Sequence, residues 1–224
     1  LPMKQKIKIC GLSTPEAVEA AVSGGATHLG FIFFEKSPRN VSAQTAGILT
    51  GSLHSQNPSS RAVQTVAVTV DASDQDLDHI VEHMRPDMLQ LHGSESVQRI
   101  IELKARHQLP VIKALAIREP ADLEKVRTYD EASDLLLLDA KPPKGSELPG
   151  GNGVRFDWSV LKTLKSKTPI LLSGGIDLNN VNEAMDYVGS GENSVIGLDV
   201  SSGVESAPGA KDISKIEMFL AACQ

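Results

Sequence analysis

Residues 6–11, with the sequence KIKICG, alternate between charged and apolar side chains and then reach a cysteine and a glycine. Strict alternation predicts a β-strand with two different faces, and it puts Lys8 and Cys10 on the same face. Because Gly11 lets the backbone turn sharply, we expect the Cys10 thiol at the carboxyl end of this strand. In folds made of repeated strand–helix units, that end carries the functional groups. Cys10 is therefore a candidate catalytic residue, although a free cysteine can also serve as a small buried hydrophobe.

The pattern of a short apolar strand, a loop and an amphipathic helix repeats along the chain. Strands are predicted at 6–10, 28–33, 63–70, 87–91, 110–114, 135–139, 169–173 and 194–199. Helices are predicted at about 15–23, 42–53, 74–84, 94–107, 120–127, 157–165, 179–187 and 212–222, and residues 52–60, rich in Ser and Asn, are predicted as a linker.

These repeats predict an α/β fold, namely a single-domain (β/α)8 TIM barrel that spans residues 1–224. A doubly wound open sheet is the alternative. Such a sheet needs a glycine-rich dinucleotide turn after its first strand, and residues 10–13 (CGLS) do not provide one.

The composition argues against several classes of partner. The formal net charge is −6 with a pI near 5.5, and no basic block stands out, so we expect no nucleic-acid surface. No apolar run approaches the roughly 20 residues of a membrane helix, and the amino terminus lacks the apolar core of a signal peptide. Cys10 and Cys223 lie at opposite ends, without the close spacing of metal or redox motifs. These features predict a cytoplasmic protein with no membrane contact and no metal site.

Asp139 ends an otherwise apolar strand, LLLLD at 135–139. A carboxyl group at the rim of a dry barrel favours its protonated form, so Asp139 is a candidate general acid; capping of the following loop is the alternative role.

Glycine-rich turns precede the sixth helix and follow the seventh and eighth strands. They are GGNG at 150–153, SGG at 173–175 and DVSSG at 199–203. In such barrels the turns after strands seven and eight often hold a phosphate on backbone N–H groups. The sequence therefore predicts a phosphorylated ligand.

Two further polar side chains are expected at the same rim. Arg39 lies in the loop after the second strand, where a guanidinium can bind a carboxylate through two parallel hydrogen bonds. His92 follows the fourth strand. From position alone, Arg39 is expected to be a solvated loop residue and His92 a hydrogen-bonded rim residue. The spacing of the sequence therefore assigns neither of them a function.

Several short motifs follow one another from the first strand to the eighth. They are KICGL 8–12, SPR 37–39, QLHG 90–93, LD 138–139, FDW 156–158, SGG 173–175 and GLDVSSGVE 197–205. In this order they resemble the phosphoribosylanthranilate isomerase family, (β/α)8 barrel enzymes of tryptophan biosynthesis. Two positions depart from the family pattern: Asn152 stands where threonine is usual, and Ser173 where alanine is usual. Both residues keep their backbone donors.

The resemblance implies an isomerase that carries out an Amadori rearrangement by general acid–base catalysis, without metal or organic cofactor. Its substrate would be N-(5-phosphoribosyl)anthranilate, and its product 1-(o-carboxyphenylamino)-1-deoxyribulose 5-phosphate. It implies that Asp139 protonates the furanose ring oxygen and that Cys10 removes the C2′ proton. One group must be protonated and the other ionised at the same pH. Lys8, on the strand face of Cys10, is expected to favour the thiolate.

The resemblance also implies the substrate contacts. The candidate substrate-binding residues are Lys8, Arg39, His92, Gly153, Gly174, Gly175, Asp199, Ser201 and Ser202. Arg39 matches the arginine that holds the anthranilate carboxylate, which replaces its interpretation as a solvated loop residue. The glycines and serines match the phosphate rim, and Asp199 a residue near the ribose and amino group. The expected partner is a small phosphorylated substrate, and the chain is expected to be a monomer or homodimer.

Two other functions stay open at this point. The first is another sugar-phosphate isomerase, or an imidazole-type Amadori isomerase of the histidine pathway, on the same barrel. The imidazole-type enzyme would carry an aspartate where Cys10 stands, so the thiol argues against it, while activity on both substrates stays open. A non-catalytic barrel would keep the phosphate turns and lose the acid–base pair. The presence of both Cys10 and Asp139 argues against that alternative.

Overall fold

The computed structural model describes residues 5–56, 63–142, 145–146, 148–190 and 194–224. Within these ranges no helix has the length and hydrophobicity needed to cross a bilayer. The predicted linker at 52–60 begins as helix, because the second helix continues to Gln56, and residues 57–60 lie outside the described ranges.

Eight parallel strands close into a barrel in chain order, which confirms the predicted fold. They are β1 (Lys6–Cys10), β2 (His28–Phe33), β3 (Gln64–Thr69), β4 (Met88–Leu91), β5 (Val111–Ile117), β6 (Leu135–Ala140), β7 (Ile170–Leu172) and β8 (Val195–Val200). The first and last strands close the ring, with Lys8 opposite Asp199. Since all strands run the same way, their carboxyl ends meet at one rim.

Helices cover the outside of the barrel. They are α1 (Pro15–Ser23), α2 (Ala43–Gln56), α3 (Asp74–Met84), α4 (Val97–His107), α5 (Glu124–Tyr129), α6 (Val181–Met185) and α7 (Ile213–Ala222). Side-chain caps begin several of them, as predicted for the first: the Thr14 hydroxyl accepts from the Ala17 N–H, and Pro15 occupies the first turn.

The helical prediction is wrong in the sixth unit and too long in the seventh. The predicted helix at 157–165 is a short 3₁₀ segment, Trp158–Thr163, and the predicted helix at 179–187 is α6, five residues long. The sequence WSVLKT contains serine, valine and threonine, which are weak helix formers, and 3₁₀ runs are short by nature. A further 3₁₀ turn, Pro120–Leu123, leads into α5.

Alternation along the strands divides the buried side chains into two groups. An inner cluster fills the barrel and comprises Cys10, Val66, Val68, Met88, Ile112, Ala114, Leu135, Leu137 and Leu171. A larger outer cluster packs the strands against the helices. Residues two positions beyond an inner residue point the same way, so Asp139, after Leu135 and Leu137, is directed toward the barrel axis.

A small hairpin follows the eighth strand at the rim. A 3₁₀ turn (Ser202–Val204) leads into β9 (Glu205–Ala207), which pairs antiparallel with β10 (Ala210–Lys211). The hairpin tip packs on the loop after β2, because a β-carbon built on Gly209 would lie only 2.4 Å from the Pro38 carbonyl oxygen. This contact brings the loops after β2 and β8 together.

Candidate active site

A cleft lies at the carboxyl ends of the strands, where ligands bind in barrels of this kind. Most of the predicted site residues line it: Cys10, Arg39, His92, Asp139, Gly174, Gly175, Asp199, Ser201 and Ser202. Lys8 and Gly153 do not. Lys8 is fully buried below the cleft floor, and Gly153 lies in the turn between the lining residues Asn152 and Val154.

Cys10 is the last residue of β1 and is only 5% exposed. Gly30 of β2 pairs with it across the strands. A β-carbon on Gly30 would lie 2.9 Å from Cys10 Sγ and 3.0 Å from Lys8 Nζ, well inside ordinary contact distance. The missing side chain of Gly30 therefore provides the space that the thiol and the ammonium group occupy.

Lys8 belongs to a buried polar network beneath the cleft. Its Nζ donates to Asp199 Oδ1 at 2.7 Å, and the Ser173 hydroxyl donates to Asp199 Oδ2 at 2.8 Å. Burial opposes the charge on Lys8, but Asp199 and Cys10 outweigh that effect, so the pKa of Lys8 is raised. Ser173, one of the two departures from the family pattern, thus helps to fix the Asp199 carboxylate.

The thiol of Cys10 responds to two opposing influences. Burial raises its pKa, and Lys8 acts in the other direction by favouring the thiolate. The net result is a pKa above the ordinary value for cysteine. Lys8 thus favours the thiolate, as predicted, but the effect of burial on the pKa of Cys10 is larger.

Asp139 lies near the end of β6, with Oδ1 accepting from the Ala140 N–H at 2.8 Å. Two glycines cover it from water. A β-carbon would lie 2.5 Å from Oδ2 if built on Gly150, and 2.9 Å from Oδ1 if built on Gly174. Only 5% of Asp139 is exposed.

His92 approaches the second oxygen of Asp139, with Nε2 3.3 Å from Oδ2. The Gln90 side-chain amide lies 3.0 Å from His92 Nδ1. When Gln90 donates this hydrogen bond, Nδ1 is the acceptor and the imidazole proton lies on Nε2, facing Asp139. Gln90 was predicted only as part of a motif. It selects the tautomer of His92 because it lies two residues earlier on the same inner face of the strand.

A buried ion pair holds the loop that carries His92. Lys113 of β5 is 1% exposed, and its Nζ donates to the carbonyls of Leu91 (3.2 Å) and Gly93 (2.7 Å) and to Glu95 Oε2 (2.9 Å). The two carbonyls flank His92 in the chain. Lys113 therefore fixes the backbone on both sides of the imidazole, although it points away from the barrel axis.

The turns after β7 and β8 pack directly on each other. Gly174 and Gly175 both have positive φ, +86° and +66°, a conformation that strains other residues. A β-carbon on Gly203 would lie 2.0 Å from the Ile176 carbonyl oxygen, so the two turns touch backbone to backbone. This contact puts Gly174, Gly175, Ser201 and Ser202 along one side of the cleft.

The other departure from the family pattern, Asn152, is used within its own loop. Its Oδ1 accepts from the Ser146 hydroxyl at 2.8 Å, and its Nδ2 donates to the Leu148 carbonyl at 3.1 Å. The side chain thus folds the loop that places Gly150 over Asp139.

Arg39 enters the cleft already paired. Its Nε and Nη2 donate to the two carboxylate oxygens of Glu205 at 2.7 and 2.9 Å. Lys211 Nζ donates to Glu205 Oε1 at 2.7 Å. Neither Glu205 nor Lys211 was predicted as a site residue. Glu205 closes the DVSSGVE motif, and its buried charge after a strand end is the signal that could have identified it.

Among the residues described, no three His, Cys, Asp or Glu side chains come together as a metal site.

The chain is similar to known proteins along nearly its whole length. A family model described as N-(5'phosphoribosyl)anthranilate (PRA) isomerase matches residues 7–222. A relative from Agrobacterium fabrum (strain C58), named N-(5'-phosphoribosyl)anthranilate isomerase, is 53% identical over 217 residues, which are 97% of this chain and 94% of the relative.

Two solved structures share the fold along nearly their whole length. Phosphoribosyl anthranilate isomerase from Thermotoga maritima superposes with a TM-score of 0.82 at 31% identity, covering 98% of both chains. A structure of phosphoribosyl anthranilate isomerase in complex with reduced 1-(o-carboxyphenylamino)-1-deoxyribulose 5-phosphate superposes with a TM-score of 0.78 at 29% identity, again over 98% of both chains.

Proposed function

Because this chain belongs to the N-(5'-phosphoribosyl)anthranilate isomerase family and is an isomerase of tryptophan biosynthesis, we propose that Asp139 and Cys10 catalyse its reaction as general acid and general base. The observation that supports these roles is their placement. Both side chains line one cleft from the ends of β6 and β1, strands that are separated in the barrel by β7 and β8. A sugar ring held between them would present different atoms to each group.

Asp139 acts first in this proposal. Its carboxyl proton passes to the furanose ring oxygen, the C1′–O bond breaks, and the lone pair of the arylamine nitrogen forms the C1′=N bond of a Schiff base. Gly150 and Gly174 shield the carboxyl from water, which keeps solvent away from the proton transfer. His92 Nε2, 3.3 Å from Oδ2, can then donate to the carboxylate left behind.

Cys10 acts second. Its thiolate removes the C2′ proton, the electrons of that C–H bond become the C1′=C2′ double bond of an enolamine, and the electrons of the C1′=N double bond return to the nitrogen as its lone pair. The enolamine takes a proton at C1′ and loses the C2′ hydroxyl proton, which yields the ketone. The base must ionise in a site whose burial opposes ionisation, and Lys8 is the adjacent cation that favours the thiolate. We therefore propose that Lys8 acts through Cys10 rather than by contact with the substrate.

The two anionic ends of the substrate are proposed to bind on different sides of the cleft. The turns with Gly174, Gly175, Ser201 and Ser202 offer backbone N–H groups to the phosphate. Arg39 offers its guanidinium to the anthranilate carboxylate. The Asp199 carboxylate, held by Lys8 and Ser173, is proposed to lie near the ribose and the amino nitrogen.

The setting of the reaction is proposed from less specific features. We expect a cytoplasmic enzyme, because Cys10 and Cys223 are both free thiols in the structure. We expect a small phosphorylated molecule as the only ligand of the cleft, and a monomer or a homodimer. A structure among the relatives is described as mutually generated monomers of a dimeric enzyme from Thermotoga maritima, which is a property of that protein.

The roles of Asp139 and Cys10 are tested by following the fluorescence of phosphoribosyl anthranilate that is generated in place. Cys10→Ala and Asp139→Asn should each lower kcat by at least about 100-fold while leaving substrate affinity nearly unchanged. Cys223→Ala, which removes the other buried thiol far from the cleft, is the matched control and should turn over normally. Normal kcat in either site variant would remove that residue from the mechanism.

A further inference from the structure

The carboxylate of Glu205 is shared by two cations at the base of the cleft. Arg39 binds both of its oxygens, and Lys211 binds Oε1 at 2.7 Å. The side chains of Arg39, Glu205 and Lys211 are 5%, 4% and 2% exposed. Ion pairs with so little exposure are weakly screened by water and hold a fixed geometry.

The cluster has more positive than negative charge. Burial opposes the charge on Glu205, but Arg39 and Lys211 outweigh it and hold the pKa of Glu205 below its usual range. Burial also lowers the pKa of Lys211, although Glu205 opposes that shift. One carboxylate thus faces two cations, and an anion that enters the cleft can complement the excess.

The pairing decides which edge of the Arg39 guanidinium faces the cleft. Glu205 occupies the side formed by Nε and Nη2, and Nη2 also donates to the Gly151 carbonyl at 3.5 Å, so Nη1 is the nitrogen of Arg39 that is left for a ligand. A β-carbon on Gly151 would lie 2.7 Å from Nη1, and one on Gly11 would lie 2.7 Å from Arg39 Cδ. Backbone therefore closes over the arginine at both ends, and its rotation is restricted by Glu205 together with these two glycines.

Glu205 also connects this arginine to the phosphate turn. Lys211, which binds its Oε1, donates in addition to the Ser201 carbonyl at 2.9 Å. The Gly209 N–H donates to Glu205 Oε2 at 3.2 Å, and Gly209 packs on Pro38, next to Arg39 in the chain. One carboxylate thus joins the loop after β2, the turn after β8 and the hairpin.

We propose that Glu205 is a positioning residue that directs the Nη1 edge of Arg39 at the carboxylate of the substrate, and so makes the enzyme selective for an ortho-carboxylated arylamine. Glu205 itself touches no reacting atom in this scheme. It fixes the guanidinium before the substrate arrives, so little side-chain entropy is lost on binding. The proposal rests on the proposed function, because it takes Arg39 as the group that binds the aromatic carboxylate.

The test compares two ligands that differ only in the carboxylate. They are reduced 1-(o-carboxyphenylamino)-1-deoxyribulose 5-phosphate and the corresponding phenylamino compound, with Kd measured by calorimetry. A charge-assisted hydrogen bond should make the wild-type protein bind the carboxylated ligand about 10- to 100-fold more tightly. In Glu205→Gln the amide presents a donor to Arg39 or Lys211, so this preference should fall to about threefold or less. Glu205→Asp keeps the charge but lacks the reach, and should lose the preference as well.

Two further variants separate positioning from general damage. Ser206→Ala, on the same hairpin with an exposed side chain, should keep the wild-type preference. In Arg39→Met the preference should disappear, and adding Glu205→Gln to it should change the ligand ratio no further, because Glu205 acts through Arg39.

Each outcome decides the proposal. Retained preference in folded Glu205→Gln overturns positioning, since Arg39 would then select the carboxylate without the Glu205 carboxylate. Retained preference in Glu205→Asp when Glu205→Gln loses it also overturns positioning, since only the charge would then matter. Failure of both Glu205 variants to fold would make Glu205 a folding residue and would also overturn it. Failure of the proposed function looks different: the wild-type protein itself would lack isomerase activity or would bind the two ligands equally.

Discussion

Replacing Gly30 by alanine is the smallest change that tests whether the space around Cys10 matters for catalysis. The added methyl group would lie 2.9 Å from Cys10 Sγ, 3.0 Å from Lys8 Nζ and 3.2 Å from Cys10 Cα. Ordinary contacts between such atoms are about 3.5–4.0 Å, so the thiol must move by roughly 0.6 Å or more. Gly30 does not have a positive φ, so alanine adds steric overlap without backbone strain.

The expected effect on activity is larger than the effect on stability. A displacement near 1 Å in a catalytic group can cost about 100-fold, so kcat/KM should fall by about 10- to 100-fold. Overpacking a buried site costs about 1–3 kcal/mol, and replacing glycine within a strand returns roughly 0.5–1 kcal/mol. The net loss of unfolding free energy should therefore stay near 1–2 kcal/mol, which leaves the variant folded at room temperature.

Steady-state turnover and urea unfolding, measured on the same preparation, separate the two effects. The matched control is Gly51→Ala in α2, where no described atom lies within 4 Å of the new β-carbon. It should leave kcat/KM unchanged and stabilise the protein by about 0.5–1 kcal/mol, because alanine is the better helix former. A folded Gly30→Ala with wild-type kcat/KM would refute the reasoning, since the thiol would then tolerate displacement.

Three other perturbations give independent tests. Gly150→Ala should lower kcat by about tenfold or more in the fluorescence assay, because its methyl group would come within 2.5 Å of the Asp139 carboxyl and open the cover over the acid; normal turnover would contradict this. Lys113→Met should cost about 3–5 kcal/mol in urea unfolding, because Glu95 would remain buried without its cation; a loss below about 1 kcal/mol would show that the pair is not needed. Burial raises the pKa of Cys10, so kcat/KM should keep rising with pH above neutrality as the thiolate forms; a pH profile that falls over this range would exclude the thiolate as the base.

The sequence was sufficient for the architecture because each strand has its own local pattern. Alternation in β1, the continuous apolar run of β6 and the glycines that end α1 depend on neighbouring residues, and all eight strands occur where such patterns put them. Prediction was wrong where a helix depends on packing rather than on its own residues. The segment Trp158–Thr163 contains weak helix formers, and it forms a 3₁₀ turn instead of an α-helix.

The candidate site was predicted as far as residues at strand ends determine it. Cys10 and Asp139 each follow a recognisable strand, and parallel topology brings their ends together. The roles of Gly30 and Glu205 depend on which atoms of distant segments lie within 3 Å of them, and no spacing along the chain contains that information. The sequence predicted which face of β1 carries Lys8, but it could not predict the ion pair of Lys8 with Asp199. That pair forms because β1 closes the barrel against β8.

The net charge of the chain does not predict the charge at the cleft, because the cleft depends on where individual charged residues lie. The chain has a net charge of −6, which argues against nucleic acid, yet its proposed substrate carries a phosphate and a carboxylate. Beneath the cleft, Lys8 is balanced by Asp199, while Arg39 and Lys211 together exceed Glu205 by one positive charge. Surface charges more than about 10 Å away are largely screened by salt, and these buried groups are screened much less. The cleft can therefore attract an anion in a protein that repels anions overall, because affinity follows the few charges that water does not reach.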